Sequence, residues 1–258
     1  MNHLALLLDY SFQAVVKNWR ALVLYALFLI ILTLLYVVHP ISVIANFLLQ
    51  LMTIQVMVYY GSPLLKEVSK EELYSFLESS TVKKVFTERF EVSAGIFLAS
   101  FLTNLILTLV IVLVVFLSGI PFVHSLEGIS SPETASILLK LFALFLFILL
   151  IVSWYVYVYP LALGYAMGKE GFGEAFLGFF KIFAPSLWKR ALSFKYFIFI
   201  TVTGILGAIF LLIGVLLLIT VIFFPFGAVF LYFSNVFFGG AAARSYFITS
   251  IDESQSRS

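Results

Sequence analysis

Six long stretches of this chain are apolar, and none has an Asp, Glu, His, Lys or Arg through its middle. They run from Ala21 to Val38, Ile41 to Leu65, Val92 to Ser118, Ile137 to Met167, Phe194 to Ile219 and Phe226 to Phe247. A helix needs about twenty residues to cross roughly 30 Å of hydrocarbon, and each stretch meets or approaches that length. Soluble chains carry about a quarter charged residues, whereas here 11% of 258 residues are charged and 63% are hydrophobic. The sequence therefore predicts an all-α, polytopic membrane helix bundle with six transmembrane helices.

The charges say which way the bundle sits. With six spans, fourteen of the fifteen Lys and Arg residues fall on one side and Lys140 alone falls on the other. The positive-inside rule places the N-terminus, the C-terminus and both charged loops in the cytoplasm, which implies a cytoplasmic-membrane protein. Eleven of the thirteen acids share that side, so its net charge is small and nucleic acid is not an implied partner. Met1 to Phe12 has no basic n-region or cleavage site, so the first span is expected to target the chain. Pro40 sets a tight hairpin between spans one and two, and Ser131-Pro132-Glu133 reads as the start of a long fourth helix. The apolar turn from Ile219 to Phe226 leaves open a re-entrant last hairpin.

An amphipathic cytoplasmic segment precedes each pair of spans. In the first, Leu4, Leu8, Phe12, Val15 and Trp19 fall on one helical face, opposite Asp9, Gln13 and Lys17. In the second, Ser69 and Glu72 make a capping box, and after a break at Ser79-Ser80 another stripe contains Val82, Val85, Phe86 and Phe90. In the third, Phe172, Phe176, Phe179 and Phe183 form the apolar face and Pro185 ends the helix. One membrane domain, 1–250, then divides into units 1–65, 66–168 and 169–250, a parallel pseudo-repeat of helix plus two spans, followed by a disordered tail, 251–258.

The residues offer little chemistry. There is no Cys, which excludes disulfides and thiolate sites. No nucleotide-binding motif is present, and no cofactor, catalytic residue or metal site is assigned. His124 with Glu127 and Glu133 matches no known ligand spacing. Glu88, Arg89 and Glu91 beside span three read as a solvated rim rather than a lipid enzyme's site. Within the spans, Asn46, Gln50, Gln55, Asn104 and Asn235 are either interhelical hydrogen-bonding groups or the lining of a polar path. Gly164 with Gly168, Gly204 with Ala208, and Gly239-Gly240 with Ala243 have the spacing that lets helix backbones approach, within the chain or between copies. Tyr155, Tyr157 and Tyr159 read as an aromatic belt.

The order Asp9-Tyr10-Ser11-Phe12 then Lys17-Asn18-Trp19, and again Phe172-Gly173-Glu174-Ala175-Phe176 then Phe180-Lys181, each leads into a hairpin of spans. This arrangement resembles a group of uncharacterised archaeal and bacterial integral membrane proteins, distantly similar to the membrane domain of some glycerophosphodiester phosphodiesterases. The resemblance implies a six-helix, non-catalytic membrane module, and it carries over no catalytic residue. The expected function is a non-enzymatic scaffold or accessory factor in membrane or lipid-linked processes, with membrane lipids as partners. The alternative is a permease-like subunit of an export-type ABC transporter, or another lipid-handling transporter, which would bring an ATPase as partner.

Overall fold

The structure, a computed structural model, describes residues 3–36, 41–118, 131–219 and 223–255. These residues form eleven α-helices and two 3-10 turns, with no strand among them. The hairpin at His39-Pro40, the loop holding His124 and Glu127, the side chain of Glu133 and residues 220–222 lie outside what is described.

Helix α1 (His3–Lys17) bends by 80° into α2 (Trp19–Tyr36). The chain returns through α3 (Ile41–Gly61) and a 3-10 turn, Ser62–Leu65. Two short helices, α4 (Lys70–Ser79) and α5 (Val82–Thr87), precede the pair α6 (Phe90–Leu117) and α7 (Ser131–Met167). Next come α8 (Phe172–Phe179), a 3-10 turn (Phe180–Phe183) and α9 (Pro185–Ala191), then the pair α10 (Phe194–Ile219) and α11 (Phe224–Gln255). Five helices, α3, α6, α7, α10 and α11, are long and apolar enough to cross a membrane, and the bent pair α1 and α2 makes a sixth if it is one span.

Helix α11 is the hub, packing on α10, α3, α7, α1 and α2. Its small residues allow this, because a Cβ on Gly239 would overlap the Met57 backbone and one on Gly164 of α7 would overlap the Ala242 carbonyl. Ala243 is fully buried. Two of the small-residue pairs do not, as pairs, bring helix backbones together within the chain. Gly204 has nothing near its missing Cβ and Ala208 is exposed, whereas Gly207 and Gly214 are the glycines of α10 that meet Phe238 and Leu231. Gly168 lies past the end of α7 and packs on no other helix backbone.

The buried core is concentrated at one end of the bundle. Val56 to Leu64, Val92 to Ala99, Val158 to Met167 and Val236 to Ala243 supply much of it, together with Leu7, Tyr10, Leu73, Leu77, Phe179 and Leu187 from the shorter helices. The far halves of α6 and α7 are mostly exposed, from Leu105 to Leu117 and from Leu138 to Leu150. Lipid tails are as apolar as leucine, so these faces need no protein partner. At 28 and 37 residues, α6 and α7 are about 42 and 55 Å long, more than the hydrocarbon requires. Their surplus length is built into the packed end. The described Lys and Arg residues other than Lys140 lie on or beside the helix ends that meet there, which we call the basic end.

Three expectations about the shorter segments need correction. Phe12 and Trp19 are more than half exposed (59% and 56%), and α1 instead buries Leu6, Leu7, Tyr10, Ser11 and Ala14 against α11. The expected Phe172, Phe176, Phe179 and Phe183 stripe is split. Phe179 is buried with Ala175, Gly178 and Ile182, while Phe172, Phe176, Phe180 and Phe183 form a half-exposed ladder of ring contacts. The physical reason is the 3-10 turn at Phe180, which takes fewer residues per turn and rotates Phe183 off the α-helical face. Pro185 both ends this stretch and opens α9 as its first residue. Finally, α11 runs on to Gln255, so residues 251–255, expected in a disordered tail, are helical.

Candidate functional site

What the sequence concentrates at the basic end is a cap of short helices clamped onto the spans. Helix α4 starts where Ser69 and Glu72 close a capping box, each side chain bonding the other's backbone N–H (3.2 and 3.0 Å). Its Lys70 ammonium pairs with the Asp9 carboxylate of α1 at 2.8 Å, and the Tyr74 hydroxyl donates to the same carboxylate at 2.7 Å. These two donors, Lys70 first, hold Asp9 below the ordinary carboxylate value. A second pair, Lys17 to Glu78 at 2.7 Å, ties the other end of α1 to α4. Solvent reaches both pairs, so each contributes little energy and mainly fixes position.

Deeper contacts use donors that reach helix-end carbonyls. The Gln55 amide of α3 donates to the carbonyls of Val85 and Glu88 (2.8 and 2.9 Å), which holds α5 against the bundle. Arg89 joins α5 to α6 in the left-handed region, with φ at 59°. Its guanidinium donates to the carbonyls of Met167 and Lys169 (2.6 and 2.7 Å), capping α7. Arg244 of α11 donates to the Lys66 carbonyl at 3.0 Å, just past the turn that ends α3. Each bond satisfies a carbonyl that a helix end leaves without an intrahelical partner.

The five span amides do not converge. Gln55 and Asn235 are buried, far apart in partners: Gln55 bonds α5, and Asn235 donates to the Tyr25 hydroxyl at 2.8 Å. Asn46, Gln50 and Asn104 are exposed on the outer faces of α3 and α6. Around Asn235 lies a buried tyrosine cluster that spacing alone did not reveal. The Tyr60 and Tyr232 hydroxyls bond at 2.8 Å, the Tyr10 hydroxyl donates to the Tyr60 carbonyl at 3.0 Å, and the rings of Tyr25 and Tyr232 meet edge to face. The available signal was compositional: tyrosine hydroxyls within apolar runs need partners once buried. Two of the three belt tyrosines also bond inward, the Tyr157 hydroxyl to the Ala191 carbonyl at 2.7 Å and Tyr159 to Ser100 at 3.4 Å.

A groove of about 1020 Å³ opens between the end of α3, the α5–α6 junction and the α7–α8 link. Lys66, Arg89 and Lys169 face it together with Glu91 and Glu170, so it has no strong net sign. Of the rim residues weighed for chemistry, Arg89 is committed to α7, Glu91 lines the groove, and the Glu88 carbonyl is held by Gln55. No group of three or more metal-ligating side chains occurs among the described residues.

Fold and cap together define an all-helical, multi-pass membrane protein. No family model matches the chain, and it matches no curated protein and no solved structure.

Proposed function

We propose that this chain is a non-enzymatic multi-pass protein of the cell membrane, with both termini in the cytoplasm, that acts as a scaffold or accessory factor in membrane or lipid-linked processes. The observation that carries this reading is the clamped cap: Asp9 and Lys17 fix α1 to α4, Gln55 fixes α5 to α3, and Arg89 fixes the α5–α6 junction to α7. A surface of fixed shape suits a soluble partner that docks on it, and the positive-inside rule turns that surface to the cytoplasm. The span amides, paired off or facing outward, supply no polar path through the bundle. A six-helix, non-catalytic membrane module of the kind the sequence resembles fits the same role. The permease reading asks instead for cap helices that move against the spans.

The test is reconstitution into vesicles carrying a fluorescent phospholipid. A scaffold leaves the probe crossing between leaflets at the protein-free rate, with or without ATP and a co-purifying ATPase. Crossing faster than in protein-free vesicles overturns the proposal in favour of a transporter.

A further inference from the structure

Between α6 and α7 lies a second groove, of about 420 Å³ and almost wholly apolar. Thr103, Ile106 and Val110 form one wall, Leu150 and Ile151 the other, and Trp154 and Trp188 stand where it meets α9. From Thr103 to Val110 the groove follows two turns of α6, away from the basic end and into the exposed, membrane-facing half of the bundle. Its mouth is rigid. The Trp188 indole donates to the Ile182 carbonyl at 2.6 Å, the rings of Trp154 and Trp188 meet edge to face, and Tyr157 bonds the Ala191 carbonyl. Tryptophan and tyrosine in such numbers mark the depth of lipid headgroups.

The charged residues that adjoin the mouth in the chain are basic. No Asp or Glu occurs between Glu174 and Asp252, a stretch that holds Lys181, Lys189, Arg190, Lys195 and Arg244. Lys181 is the chain neighbour of Ile182 and Lys189 of Trp188, both groove residues, and both lysines are exposed. No acid answers them from the groove walls, because α6 has no charged residue after Glu91 and α7 has none between Lys140 and its end at Met167. A comparison sits at the far end of the bundle. The groove between α2 and α10, lined by Ile30, Leu34, Val215 and Ile219, is larger, about 790 Å³, and like the α6–α7 groove has no charged lining residue, but no Lys or Arg adjoins any of its lining residues in the chain.

We propose that the α6–α7 groove binds one anionic two-chain lipid of the leaflet at the basic end, with an acyl chain along Ile106, Val110 and Ile151 and the headgroup phosphate against Lys181 and Lys189. An apolar trough gives the chain a place, and an unopposed pair of ammonium groups selects a negative headgroup over a zwitterionic one.

Native mass spectrometry of the full chain in detergent tests this, with dioleoyl phosphatidylglycerol, dioleoyl phosphatidylcholine and glycerol 3-phosphate as probes. The expected result is one phosphatidylglycerol retained per chain in preference to phosphatidylcholine, without competition from glycerol 3-phosphate. The double variant Lys181→Gln/Lys189→Gln weakens that retention about tenfold or more, as two surface lysines imply. Lys83→Gln/Lys84→Gln, which removes the same charge elsewhere, leaves it unchanged. Ile151→Trp, which fills the groove and spares the lysines, lowers retention of both lipids. The lipid-free melting temperature of each variant shows whether it folds. Equal retention of the two lipids, equal loss in both lysine pairs, or full competition by glycerol 3-phosphate overturns the proposal.

Discussion

Two amides on one helix show how context decides what a polar residue does in a membrane. Gln55 and Asn46 both lie on α3, yet Gln55 is buried with two carbonyl partners and Asn46 is exposed. Removing Gln55 as Gln55→Leu strands the carbonyls of Val85 and Glu88, and the expected loss of stability is about 1–3 kcal/mol. Asn46→Leu is expected to change it by less than about 0.5 kcal/mol. Unfolding in mixed micelles measures both. A matched pair of glycines separates packing from propensity in the same assay. Gly239→Ala forces a methyl into the Met57 backbone and should destabilise by about 1–3 kcal/mol, whereas Gly204→Ala meets open space and should be neutral or slightly stabilising. Neither contrast was legible in the sequence. Gly204 with Ala208 has the same spacing as real packing pairs, and which face of α10 turns to α11 is set by tertiary fit, Gly207 meeting Phe238 and Gly214 meeting Leu231.

At the scale of elements, what is local was legible and what is tertiary was not. The Ser69 and Glu72 capping box appears as expected because four consecutive residues make it. Helix α1 was legible as amphipathic, but its buried face was misplaced. Leucines and aromatics surround the helix, and burial follows the fit of Leu7 and Tyr10 against α11 rather than the hydrophobic pattern alone. On α8 the expected stripe assumed one continuous α-helix, and the 3-10 turn at Phe180 rotated its end. The α1–α4 clasp also carries a pH dependence whose direction is fixed. Bonding to Lys70 and Tyr74 lowers the Asp9 pKa below its ordinary 3.8. Its contribution is therefore complete above the unfolded value and is lost as pH falls through the lower folded value. The clasp should be constant from neutral pH down to about 5 and weaken only in stronger acid. The exchange of α4 amides with deuterium, followed against pH, measures this. Asp9→Asn should speed α4 exchange only modestly, at every pH, and remove the acid step.

For the molecule as a whole, the apolar runs made the membrane bundle legible at once, since only helices of that length and composition satisfy their backbones in lipid. The sequence did not disclose that the packed core sits at the basic end and that the far halves of α6 and α7 are mostly exposed. Apolar side chains in the core and apolar side chains facing lipid look the same in a sequence. On the proposed topology all the cap helices face one side of the membrane, the cytoplasm, and the far ends of the spans face the other. A chain without cysteine tests this directly, because each introduced thiol is the only one. Single cysteines replacing Glu71 on α4, Lys83 on α5, Glu174 on α8 and Lys140 on α7 are reacted with a membrane-impermeant maleimide in intact and in permeabilised cells. The expected result is that Lys140→Cys labels in intact cells and that the other three label only after permeabilisation. Labelling of any of those three in intact cells, or a split among them, would contradict it.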